Sequence, residues 1–116
     1  MTVTYAGLPV SLSVEQTQKL DHEFQKTGKL LDNGRSEVGI HVFISQERHL
    51  HIAEATAHVH HHDLAGKGTG DDIFSAIHQA AVKLETQAIR LKEKWRDEKR
   101  GTRPVEISGE EIPQVG

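Results

Sequence analysis

The sequence predicts an α+β domain of element order β-α-β-β-β-α: a four-stranded sheet with two helices packed on one face. Three observations carry this. In two stretches, 13–31 and 73–95, apolar residues recur at steps of three and four, the spacing of a helix. Over 37–60 they alternate with polar residues, the spacing of strands. Gly7-Leu8-Pro9, Asp32-Asn33-Gly34 and Gly70 punctuate these stretches as breaks and turns. Stacking both helices on one side of the sheet buries every apolar stripe at once.

Thr2 to Tyr5 is a short strand of β-branched and aromatic residues, broken at Gly7 to Pro9. Ser13 opens the first helix, with Gln16 three residues on at capping-box spacing. Leu20, Phe24, Thr27 and Leu31 mark its buried stripe, and Gly28 loosens its last turn. Glu37 to Ser45 alternates, with Val38, Ile40, Val42 and Ile44 on one face. Gln46 to His49 is a turn, and His49 to His60 a further strand with Ala55, Ala57 and Val59 inward. Leu50 and Ile52 fall on its outward register, so a bulge or a partly covered outer face is expected. His61-His62-Asp63 is read as a hairpin connection, and Leu64 to Gly68 as a short strand whose small residues suit close packing under a helix. Asp71 or Asp72 caps the second helix. Its stripe is Ile73, Ile77, Ala80, Ala81, Leu84, Ala88, Leu91 and Trp95, and its last turns, from about Ile89, are expected to project beyond the sheet. Gly101 ends it, giving a domain over 1–100 and a flexible acidic tail over 101–116.

The 116 residues suit one domain. Without cysteine there is neither disulfide nor thiolate metal site. No apolar run could span a bilayer, and the start lacks the pattern of a secretory leader, so the expected location is the cytoplasm. A net charge of −3 argues against a generic nucleic-acid binder, but the charge is polarised. Residues 83–100 carry seven cations against four carboxylates, and the tail carries Arg103 against Glu106, Glu110 and Glu111.

Ala65-Gly66-Lys67 through Asp72-Ile73-Phe74-Ser75-Ala76-Ile77, then Lys83-Leu84-Glu85-Thr86-Gln87, resembles the short-form ribosome hibernation promoting factor and ribosome-associated inhibitor (protein Y) family, within the sigma-54 modulation proteins. That family reads small-Gly-Lys, Asp-Met-Tyr-x-Ala-Ile and Lys-Leu-x-x-Gln. Glu54-Ala55-Thr56 resembles its acidic-x-Thr step, and Gly7, Val10, Leu12, Phe24 and Lys26 sit at similar spacing, so the likeness runs from about residue 2 to 96. The resemblance implies a fold like that of double-stranded-RNA-binding domains. It also implies a factor that binds the small ribosomal subunit and its 16S-type rRNA in the messenger and transfer RNA channel, inhibiting translation under stress or in stationary phase. The resemblance further implies a short form, lacking the dimerisation domain that long-form members add, with an acidic tail similar in charge and position to that of protein Y. No enzyme activity, cofactor, small-molecule substrate or membrane is implied. One departure is visible: Glu15, Asp21 and Glu23 dilute the cations of the first helix, where the family carries more Lys and Arg.

Lys26, Lys67, Lys83, Arg90 and Lys94 are the candidate RNA contacts. Lys and Arg supply most sequence-independent affinity for RNA by neutralising phosphate. The first three match basic positions of the family's motifs. Lys83, Arg90 and Lys94 share one helical stripe, where the like charges of Arg90 and Lys94 repel unless an anion lies between them. The plain alternative is a solvated helix face. Trp95 either closes the far edge of the core or stacks on a base.

His58, His60 and His62 could share a face, with His49 and His51 opposite, as a zinc or nickel site or as pH-dependent RNA contacts. No carboxylate or cysteine spacing completes a known metal site, so none is assigned. Gly66-Lys67-Gly68-Thr69-Gly70 lacks the spacing of a phosphate loop and reads as a tight strand-to-helix connection. Two alternatives to the ribosome-binding function stay open: a stand-alone RNA-binding module and a His-rich metal-binding domain.

Overall fold

The structure, a computed structural model, describes residues 1–32, 38–59 and 62–100, with side chains to residue 96. Six elements follow in the expected order: β1 (Thr2–Gly7), α1 (Val14–Leu31), β2 (Gly39–Glu47), β3 (Leu50–Val59), β4 (His62–Gly70) and α2 (Ile73–Arg100). The sheet order is β1-β2-β3-β4. β1 and β2 are parallel and joined through α1, as a parallel pair requires a crossover; the other pairs are antiparallel.

α1 starts where the capping box predicts. Ser13 Oγ accepts from the Gln16 amide, and Gln16 Oε1 accepts from the Ser13 amide, both at 3.1 Å. Leu20, Phe24, Thr27 and Leu31 are buried as the periodicity predicts. Asp32 ends the helix; the expected turn residues Asn33 and Gly34 lie outside the described residues. α2 is capped by Asp72, whose Oδ1 accepts from the Ser75 amide at 2.7 Å. Ile77, Ala80, Ala81, Leu84, Ala88 and Leu91 are buried, as is Ala76, while Ile73 and Trp95 pack against the same core. The apolar seam thus reaches Leu91 and Trp95, as the stripe predicts, so the turns just after Ile89 still meet the core where they were expected to project beyond the sheet.

The core lies between one face of the sheet and the helices. Val38, Ile40, Val42 and Ile44 meet Ala53, Ala55, Ala57 and Val59, and Leu64 extends the layer onto β4. The β2–β3 ladder is unbroken from Ile40–Ala57 to Glu47–Leu50. Of the two expectations for Leu50 and Ile52, the partly covered outer face holds and the bulge does not occur. The turn between these strands shrinks to Arg48 and His49, with Gln46 Nε2 donating to the Arg48 carbonyl at 2.9 Å. Arg48 takes a φ of 60°, the left-handed conformation that a two-residue hairpin demands.

The β3–β4 hairpin corrects the sequence expectation. His62 and Asp63 belong to β4, pairing with Val59 and His58. Because side chains alternate along a strand, His58 and His62 point to opposite faces rather than sharing one. His60 and His61 lie outside the described residues.

α2 lies against β4 and β3, with α1 alongside it. The contact is close because β4 presents glycine. A Cβ on Gly66 would stand 2.5 Å from both the Ala80 carbonyl oxygen and the Leu84 amide nitrogen. One on Gly68 would strike the Ala76 carbonyl oxygen and the Ala80 amide. Gly68→Ala is therefore expected to cost roughly 1–3 kcal/mol of overpacking, reversing the usual 0.4–1 kcal/mol gain from stiffening the unfolded chain. Denaturant midpoints of the two proteins measure it. Thr27 is fully buried, and its hydroxyl oxygen has no hydrogen-bond partner. Thr27→Val keeps the shape and removes the orphan group. It is expected to raise the unfolding free energy by about 1 kcal/mol, read in the same experiment.

Candidate nucleic-acid interface

The five candidate cations fall into three places. Lys83, Arg90 and Lys94 are all exposed on α2, and their steps of seven and four set them along one flank. This flank lies on the β4 side of the helix, since the Lys83 backbone passes over Gly66. Lys67 is exposed on β4 but points to the sheet face away from the helices, where the register sets it opposite Glu54. Gly66 to Gly70 are strand residues, so the resemblance to a phosphate loop is one of composition alone.

Lys26, on α1, lies beside the other flank of α2, and it is not a free cation. Its Nζ lies 3.0 Å from Glu23 Oε1 and 3.9 Å from Glu85 Oε1, bridging α1 to α2. Glu23, one helical turn before Lys26, is only 7% exposed. Burial works to raise the Glu23 carboxyl. Hydrogen bonds with Glu85 and Lys26, and the charges of Lys26 and His78, outweigh burial and hold it below its usual value. The hydrogen bond to Glu23, then its charge, raise the Lys26 ammonium. Glu85 moves the opposite way from Glu23: the hydrogen bond it shares with Glu23, burial and the Glu23 charge push it up. Glu23 Oε2 is buried and has no donor of its own.

The sequence pointed to Glu23 only as a charge that dilutes α1. The i,i+3 spacing of Glu23 and Lys26 was the available signal for their pairing. Nothing local marked Glu85 as the third member, because it joins from a helix 59 residues away (positions 26 and 85). Trp95 is half-buried against the core, in keeping with the first of its two expected roles.

The histidines are dispersed. His58 Nδ1 meets Asp63 Oδ1 at 2.5 Å on the outer sheet face. His51 Nδ1 donates to the Asp71 carbonyl at 3.2 Å, and His41 Nδ1 meets Thr4 Oγ1 at 2.6 Å. Among the described residues, no three His, Asp or Glu side chains gather closely enough to hold a metal ion. No helix among them is long and apolar enough to cross a membrane.

The fold is a two-layer α+β domain with a row of exposed cations along one helix flank. The model of the sigma-54 modulation protein / S30EA ribosomal protein family matches residues 4–96, and the chain belongs to that family. Among solved structures, it is similar to a ribosomal subunit interface protein from Coxiella burnetii. The TM-score is 0.60 at 19% identity, over 80% of this chain and 99% of that one. It is also similar to the N-terminal domain of Thermus thermophilus Protein Y, with a TM-score of 0.57 at 18% identity over 78% of this chain and 94% of that one. At these identities the likeness is one of fold. No curated protein matches the sequence.

The Glu23–Lys26–Glu85 bridge has a measurable signature. Removing the ammonium leaves a buried carboxylate without its counter-charge. Glu23 is depressed in the fold, so its contribution is present above its unfolded value and lost as pH falls through the folded one. Lys26→Met is therefore expected to lower the denaturant midpoint at neutral pH, with the deficit shrinking as pH drops through the carboxylate range. A deficit that is the same at all pH values would mean that the bridge contributes packing alone.

Proposed function

We propose that this protein binds the small ribosomal subunit through its 16S-type rRNA and inhibits translation when growth slows, acting in the cytoplasm as a binding protein and not as an enzyme. Membership of the S30EA ribosomal protein family supports association with the ribosome, as do the names of its structural neighbours, a subunit interface protein and a Protein Y domain. The observation that carries the reading is the exposed row of Lys83, Arg90 and Lys94 on one flank of α2. Structured RNA is gripped largely by shape and phosphate, and a rigid helix holding cations at fixed steps suits a phosphate track. Occupation of the messenger and transfer RNA channel would account for the inhibition. Lys67 and Lys26 are secondary contacts in this scheme: the first on the opposite sheet face, the second already engaged by two carboxylates.

Co-sedimentation with purified, vacant small subunits tests it. Binding is expected at low salt and should weaken steeply as salt rises. The double reversal Lys83→Glu with Arg90→Glu is expected to weaken it by roughly tenfold or more and to flatten the salt dependence by about one per lost phosphate contact. No binding at low salt would exclude the proposal. Equal affinity for a free RNA hairpin would favour a stand-alone RNA-binding module instead.

A further inference from the structure

We infer that the acidic segment 105–112 adds to the open edge of β4 as a fifth strand and there competes with RNA phosphate for the cations of the adjoining α2 flank. The competition rests on the ribosome-binding reading above; the docking does not.

β4 is an edge strand of 9 residues, paired on one side with β3. One hydrogen bond shows which backbone groups face its free side. The Thr69 amide donates to Gln79 Oε1 at 2.8 Å, so it points away from β3. Backbone groups alternate in direction along an antiparallel pair. Asp63, Ala65 and Lys67, at two-residue steps from Thr69, therefore turn their N–H and C=O groups the same way. Among the described residues, Gln79 alone donates to or accepts from this row with a side chain. A long edge of small residues is a template for a further strand unless something covers it.

The segment 105–112 suits that edge. It lies between Pro104 and Pro113, holds no proline of its own and carries Val105, Ile107 and Ile112. Extended, it covers about 26 Å, against about 30 Å for β4. The path also closes. Gly68 meets Ala76 and Ala80, and Gly66 meets Ala80 and Leu84, so α2 runs back along β4. At that pace Arg100 lies about 15 Å beyond the level of His62. Residues 101–105 can span about 18 Å, enough to return the chain to the sheet. A strand formed there runs parallel to β4, with α2 as its crossover. β1, β2 and β4 share one direction and both helices cover one face, so this crossover has the same hand as β1-α1-β2.

The charges are complementary on both faces. In an extended segment Val105, Ile107, Gly109 and Glu111 share one side, and Glu106, Ser108 and Glu110 the other. Turning Val105 and Ile107 beneath α2 brings Glu111 to the flank of Lys83 and sets Glu106 and Glu110 on the outer face with Lys67. RNA that grips the flank must then displace the segment, so the apparent affinity falls by the fraction of molecules with the edge occupied.

Hydrogen exchange of the full chain at low salt, read residue by residue by NMR, tests the docking. The comparison is Ile107→Pro with Ser108→Pro, which keeps the charge but cannot pair. The Asp63, Ala65 and Lys67 amides are expected to exchange about tenfold more slowly in the parent, with the β2 amides alike in the two proteins. Equal exchange overturns the docking, whether both edges are fast (open) or both slow (covered by a second copy). Affinity for purified small subunits at low salt is expected to be several-fold tighter in the proline variant, and equal affinity overturns the competition. If neither protein binds subunits, the ribosome reading fails, and the exchange rates still decide the docking.

Discussion

The close approach of α2 to β4 is the constraint on which the rest of this structure depends. A helix of 28 residues, about 42 Å long, lies along a strand of 9 residues, about 30 Å long. It can do so at backbone distance only because Gly66 and Gly68 present no side chain where Ala76, Ala80 and Leu84 pass. That contact seats Ile77, Ala81, Leu84 and Ala88 over the sheet and settles the rotation of the helix about its axis. Once the rotation is set, the two flanks follow. Lys83, Arg90 and Lys94 look out past β4, and Glu85 and His78 face α1.

The two flanks differ in chemistry. On the β4 side, cations stand together and exposed, without a carboxylate bound to them in any described ion pair. On the α1 side, Lys26 is paired with Glu23 and Glu85, and Glu23 is buried. The weakly acidic total charge is thus the sum of unlike surfaces and says little about what any one of them binds. A helix that serves the core with one stripe is free to carry different charge on its two margins.

Most of the fold was legible in the sequence because it rests on local periodicity. The capping box at Ser13, the stripe from Leu20 to Leu31, the alternation from Val38 to Ile44 and the cap at Asp72 are each decided within one or two turns or strands. The small residues of β4 signalled close packing, and the glycines deliver it. What the sequence misjudged depends on register. The β3–β4 hairpin turns earlier than the run of histidines suggested, and a shift of that kind sends alternate side chains to opposite faces, separating His58 from His62. The site was legible in part: the Lys83, Arg90 and Lys94 stripe is a periodic feature, whereas the Lys26 bridge depends on a tertiary contact that no local pattern encodes.

Amine-reactive footprinting, read by mass spectrometry with and without small subunits, tests most directly the claim that the β4-side flank of α2 is the binding surface. Lys83 and Lys94 are expected to lose reactivity on the subunit, while Lys67, on the opposite sheet face, changes less. Unchanged labelling of Lys83 and Lys94 in a complex that demonstrably forms would contradict the account.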